Sequence, residues 1–249
     1  MALVPISPRE PAHQTCQHAL RRAILCGELA VGERLPPERA LAVQLGVSRL
    51  TLRAALATLD AAGLIAVRHG SGYIVRDFVR DGGPDLLAGL TELAAERGDL
   101  PPIAADLLRV RRHLAHAALE YLAEHPPAAA VVRAVTIAIE AMGEVGTDDL
   151  VAVARADLAV LAAVLDATRS PVLRLCLNPL SAVVGSNAAL RAAIYRDPAS
   201  NVAGWRLLAA WLSRPRAVDL GRMLEVLAAR DAATLEHLKK RQRRSRSIR

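Results

Sequence analysis

The sequence has very few aromatic residues, few cysteines and no long uninterrupted apolar run. Two tryptophans, three tyrosines and one phenylalanine make up 2% of 249 residues, although apolar residues reach 53%. Alanine, leucine and valine therefore carry the apolar content, a mix that favours helices over a β-sandwich. Cys16, Cys26 and Cys176 form no CxxC pair and no zinc-ligand spacing. An odd, scattered set suits a reducing compartment and reads as three small buried apolar residues. No apolar run reaches the roughly 18–20 residues that span a bilayer. Arg133, Arg155 and Asp157 interrupt the longest candidates. The N-terminus shows no positive charge followed by a continuous apolar stretch, so no signal peptide is expected. These absences argue against a disulfide scaffold and a membrane span, and they predict a cytoplasmic protein with no membrane partner.

The charge that is present is unevenly placed. Residues 1–80 hold ten Lys/Arg against six Asp/Glu, residues 81–238 hold fifteen against nineteen, and residues 239–249 hold seven basic residues and no acid. An acidic middle between basic ends suggests phosphate contact at the N-terminal domain rather than general stickiness.

Helical spacing runs through 11–27, with Pro11 suited to a first turn and Gly27 to a stop. A turn-rich connector, 27–36, leads to a short helix at about 37–45. Gly46 occupies a turn, Ser48 stands where an N-cap belongs, and a third helix runs to about Ala62. The short β-type runs 64–67 and 73–75 flank RHGSG, whose two glycines allow a tight hairpin tip. That order predicts a winged helix-turn-helix, a unit that lays its second helix in the DNA major groove. Ala42, Leu45, Val47, Leu52 and Leu56 form the apolar contact inside it, leaving Ser48, Arg49, Thr51 and Arg53 on the open face. Arg49, at the start of the reading helix, can bond guanine O6 and N7. Arg53 one turn later and Arg39 at the start of the preceding helix are placed for phosphate. Arg68, His69 and Gly70 on the wing complete the DNA-facing set, with the imidazole able to enter the minor groove.

The expected fold class is mainly α. A winged helix-turn-helix domain spans 1–76 and a linker rich in glycine spans 77–86. An all-α bundle of six or seven helices spans 87–238, and the basic tail, 239–249, reads as disordered. Helical patterns cover about 85–97, 102–124, 127–143, 147–167, 171–193, 199–213 and 217–240.

The run G-E-x-x-x-G-x-R-L-P-x-E-R, then L-G-V-S-R-x-T-L-R-x-A-L-x-x-L, then G-L-I-x-V-x-x-G-x-G resembles the GntR family of bacterial repressors over about residues 12–76. The C-terminal part of the chain, notably 106–126 and 155–180, is similar to the helical effector domain of that family's FadR branch. The resemblance implies DNA contact by Arg39, Ser48, Arg49, Thr51, Arg53 and His69. Leu50 departs from the branch by replacing a polar residue in the reading helix. The resemblance further implies a homodimer on a two-fold operator, regulation by a small-molecule effector, and no enzymatic activity. No nucleophile–base set or phosphate loop in the sequence points to an enzyme.

Many members of the branch hold a divalent metal through D-x-x-x-H and two later histidines. Here Asp157 is followed by Leu161, and Leu220 and Gln242 stand near the later positions, so no metal and no cofactor are expected. His116 and His237 are the spare imidazoles, and each reads as a surface or core-edge residue. Loss of the metal leaves two effector classes open. One is a fatty acyl-CoA, which would tie the protein to fatty acid metabolism; the other is a small organic acid held by arginine alone. Arg109, Arg111, Asp157, Asn178 and Ser181 are the candidate effector contacts, with an ion pair from Arg111 to Asp106 or Asp157 as the alternative. The tail could meet DNA or a CoA-type polyphosphate, or stay solvated.

Overall fold

The computed structural model describes residues 12–68 and 72–247, and the side chains of 12–68 and 72–244. His69 and Gly70 lie outside the described residues. The chain divides into two compact units, Met1–Leu93 and Ala94–Arg249.

In the first unit, helix α1 (Ala12–Leu25) packs on α3 (Arg49–Ala61), as does α2 (Glu38–Leu45). Their apolar positions recur at helical spacing, so Leu20, Leu41, Leu45, Leu52, Leu56 and Leu59 close into one core. Each such leucine contributes about 1.5–3 kcal/mol of burial. The wing is an antiparallel pair, β1 (Ile65–Arg68) and β2 (Gly72–Val75), in the register Ile65 opposite Val75. The connector before α2 reads as turns from sequence, yet it runs beside β2. Leu35 N–H donates to Tyr73, Val75 N–H to Glu33, and Arg34 bridges Ile74. Those bonds satisfy the free edge of β2.

The stretch 77–86, expected as a linker, is folded. Asp77 caps the single-turn helix α4 (Phe78–Asp81) by accepting from Val79 N–H, Arg76 pairs with Asp81, and Pro84–Leu86 forms a 3-10 turn. Leu86, and Leu93 in α5 (Leu87–Arg97), are buried in the first core. The first unit therefore ends about seventeen residues beyond 76, because these two leucines join its buried core.

The second unit is all-helical among the described residues. Its helices are α6 (Leu100–Glu124), α7 (Ala129–Gly143), α8 (Leu150–Thr168), α9 (Pro171–Ser186), α10 (Ala188–Ile194), α11 (Pro198–Leu212) and α12 (Leu220–Ser247). Helix α6 packs on α12, α9 and α8, and α7 packs on α8 and α11. The sequence reads 171–193 as one helix, but Asn187 breaks it. Its backbone leaves helical geometry and its side chain accepts from Leu190 N–H, so it starts α10 as an N-cap. The tail does not read as it folds: α12 continues helically through Ser247. Among the described residues no single helix is long and apolar enough to cross a membrane.

The cysteines divide by environment. Cys16 is fully buried and burial pushes its thiol up, Cys26 is half-buried, and Cys176 on α9 is exposed. Only Cys16 fits the expectation of a buried apolar residue. A thiol reagent is expected to modify Cys176 in the fast phase and Cys16 only on unfolding. Loss of the fast phase in Cys176→Ser, followed by absorbance, checks the assignment.

Candidate DNA interface and an arginine-lined cavity

The reading head is built by local chemistry. The chain bends by 104° between α2 and α3, within the range of helix-turn-helix pairs. The bend needs Gly46, whose φ of 66° ends α2 in the left-handed region while its N–H caps back to Val43. Ser48 then starts α3: its Oγ accepts from Thr51 N–H at 3.1 Å and meets Thr51 Oγ1 at 2.8 Å. The buried row Leu52, Ala55, Leu56 and Leu59 fixes the back of α3. Arg49 and Leu50 are thereby left exposed at its tip, with Leu50 81% exposed.

Of the residues expected on this face, Arg39, Ser48, Arg49, Arg53 and Arg68 are exposed and Thr51 is half-buried. Some are not free groups. The Ser48 and Thr51 hydroxyls are engaged with each other at the cap. Arg53 donates from Nε to Glu38 at 2.7 Å, and that carboxylate raises the guanidinium's pKa. Arg53 therefore ties α3 to the first turn of α2 besides facing solvent.

In the second unit an apolar cavity of about 150 Å³ is lined by all its helices except α7. Leu119, Val164, Leu165, Leu208 and Leu227 supply the apolar wall. Arg111, Asp157 and Arg230 supply the charge. A polar hollow of about 80 Å³ adjoins it and shares Arg111, Ile194 and Arg230. Arg111 and Arg112 on α6 both donate to the carboxylate of Asp231 on α12, which is 3% exposed. Burial raises the Asp231 pKa against the pull of both guanidiniums.

The five expected effector contacts separate. Arg111 and Asp157 line the cavity, whereas Arg109, Asn178 and Ser181 do not. Arg109 is exposed and pairs with Asp106 on its own helix at 3.8 Å. Helix α9 turns Leu177, Leu180 and Val183 inward, which puts Asn178 on the exposed side. The Ser181 hydroxyl donates to Leu177 O on its own helix. The Arg111 ion pair runs to Asp231, neither to Asp106 nor to Asp157.

Both oxygens of Asp157 accept from neutral donors. Tyr195 Oη donates to one oxygen at 2.9 Å and Trp205 Nε1 to the other at 2.6 Å. Burial, then Asp157, pushes the Tyr195 phenol up, so it stays a neutral donor. Leu161 lines the cavity one turn along. A carboxylate so held, with a leucine where a second ligand would stand, does not fit a metal site. Among the described residues no group of three or more His, Cys, Asp or Glu is placed to hold one. His116 faces Glu120 at 3.4 Å. Burial and nearby basic residues hold the His237 pKa down. The sequence reading missed Tyr195, Trp205, Gly204 and Arg230. The two aromatics were a usable signal, because so few exist in the chain.

A bent helix pair with a capped, exposed reading helix and a β-wing is a winged helix-turn-helix DNA-binding domain. Residues 13–75 match the family model described as "Bacterial regulatory proteins, gntR family". The HTH-type transcriptional regulator Rv0494 of Mycobacterium tuberculosis is 49% identical over 90 residues, covering 31% of this chain and 37% of that one. HTH-type transcriptional regulator Mce2R of the same species is 47% identical over 90 residues, covering 36% and 37%. The match thus spans little more than a third of each relative. A solved structure described as "Lar controls the expression of the Listeria monocytogenes agr system and mediates virulence" shares the fold. Its TM-score is 0.62 at 16% identity, over 94% of this chain and 99% of that one.

Proposed function

We propose that this chain is a sequence-specific DNA-binding transcriptional regulator whose operator affinity is set by a small molecule in its helical unit. The observation that carries the reading is the tip of α3, where a buried leucine row and a serine cap hold Arg49 and Leu50 outward. Arg49 bonds guanine, and Leu50, a departure from a polar reading residue, packs on a thymine methyl. Arg39 and Arg68 supply phosphate contacts beside them. The protein acts as a homodimer, so its operator has mirrored half-sites. The effector, a fatty acyl-CoA or a small organic acid, shifts the population of states that differ in DNA affinity.

Replacing Arg49 with alanine is expected to weaken operator binding by about 1–3 kcal/mol and relax specificity at one base pair. Arg39→Ala should instead weaken all sequences alike and lower the salt slope by about one. Gel shifts against selected and scrambled operators separate the two. Unchanged specific affinity in Arg49→Ala would overturn the assignment. DNA binding that no acyl-CoA or organic acid alters would favour a ligand-independent DNA-binding protein.

A further inference from the structure

The end of α12 carries more positive charge than the fold uses. One side of it is tied down. Leu238 is buried, and Gln242 one turn on is half-buried, its Nε2 3.9 Å from where a Cβ on Gly98 would stand. With that face turned inward, helical periodicity turns Lys240, Arg243 and Arg244 outward, with Lys239 beside them. All four are exposed. Lys239 pairs with Glu236 at 3.2 Å. Lys240 and Arg244 are neighbours on one face, a turn apart, and neither forms a hydrogen bond or ion pair among the described residues. Arg196, exposed just before α11, stands near them. Burial first, and then Arg196, Arg241, Arg244 and Lys240 together, hold the His237 pKa down.

The needs of the helix do not account for this charge. The helix dipole favours cations only within the last turn. Lys239 and Lys240 stand about two turns before Ser247. A positive stripe at helical spacing fits a polyanion of regular charge. Lys240 and Arg244 are about 6 Å apart along the helix axis, and duplex DNA presents a phosphate charge every 1.7 Å or so of its own axis. A lipid surface fits less well. No apolar side chain within 239–244 faces outward, and Leu238 is already buried in the bundle, so nothing is left to enter the acyl boundary. Duplex DNA is favoured by the chain itself. Its winged head holds DNA, and a second contact on a tethered unit forms at high effective concentration.

We propose, resting on the DNA-binding reading above, that the exposed basic face at the end of α12 is a second DNA-contacting surface, which takes phosphates without reading sequence. Lys240 and Arg244 carry the contact, flanked by Lys239, Arg243 and Arg196. The surface raises affinity for any duplex and leaves the choice of operator to Arg49 at the tip of α3.

The test measures binding of the full chain to selected and scrambled duplexes across a salt series by fluorescence anisotropy. The double variant Lys240→Gln with Arg244→Gln keeps long side chains of good helix propensity. It should lower the slope of log affinity against log salt by about 0.9 for each lost phosphate contact, so by about 1.8 per chain. Both duplexes should weaken alike, by roughly tenfold or more at about 0.1 M salt. The charge-keeping pair Lys240→Arg with Arg244→Lys should retain the slope. Arg216→Gln with Arg222→Gln removes the same charge from exposed positions elsewhere in the unit and should change the slope little. An unchanged slope in the first variant, or an equal loss in the Arg216 and Arg222 control, would overturn the proposal. So would binding to phosphatidylserine vesicles that depends on Lys240 and Arg244 while the DNA slope does not. Sequence preference separates this from the parent reading. If the slope falls but the chain never prefers the selected duplex, this surface stands and the sequence-specific reading falls. If the preference is intact and the slope does not move, the reverse holds.

Discussion

Replacing Gly63 with alanine is expected to destabilise the first unit by about 2–5 kcal/mol and to weaken operator binding at physiological temperature. Two independent costs combine. Gly63 ends α3 with φ at 72°, a left-handed conformation that costs an L-residue about 1–2 kcal/mol. A Cβ there would stand 2.1 Å from Asp81 O and 2.8 Å from Asp81 C. Both are backbone atoms, so no side-chain rotation relieves the clash, and α4 must move off the end of α3. Separation also loosens Leu64 and Ile65, the next two residues, which are fully buried. Against a typical domain stability of about 5–15 kcal/mol this is a large fraction. Gly46→Ala is the internal control. Its φ of 66° carries the conformational cost, but nothing lies within 4 Å of the new Cβ. Urea unfolding of both variants measures the difference. If Gly63→Ala loses no more than Gly46→Ala, α4 does not pack against α3 as described.

The same residues show how far the sequence could be read. The head was legible because its requirements are local. A glycine at the bend, a serine three residues before its partner amide, and leucines at helical spacing each act within a turn of the chain. The α4 segment was not. Its glycines and charges match linker composition, while Phe78 packs against the first core and Leu86 and Leu93 beyond it are buried in that core. The tail misled for a related reason. A run of like charge suggests disorder, yet lysine, arginine and glutamine are good helix formers, and basic groups suit a helix C-terminus. Asn178 could have been placed outward by sequence alone, since Leu177, Leu180 and Val183 already mark the inner face of α9. Arg230 could not. On an amphipathic helix it reads as one more solvated charge, and only the packing of α11 and α12 shows it standing over Gly204.

Replacing Asp231 with alanine is expected to cost the second unit about 3 kcal/mol or more. Asp231 is the long-range tie between the first and last helices of the bundle, 120 and 119 residues along the chain from Arg111 and Arg112. Its carboxylate is 3% exposed, whereas the two arginine side chains are 28% and 32% exposed. Removing one member of a buried ion pair typically costs about 3–5 kcal/mol, because the surviving charge stays desolvated. Here two guanidiniums survive, and their partial exposure lets water recover part of that loss, which places the expectation at the lower end. A third contribution acts on Arg111, whose Nε already lacks a partner, so loss of Asp231 removes its ion pair as well. Asp231→Asn keeps the shape and one neutral acceptor, and should lose less than alanine. Both variants should leave the Arg49-dependent specificity of the reading head unaltered, since that head holds its own core. Chemical denaturation followed by helical circular dichroism gives the ordering wild type, asparagine, alanine. An unchanged midpoint in Asp231→Ala would show that α6 and α12 are held by their apolar contacts alone. The guanidinium pair would then be free to serve a ligand rather than the fold.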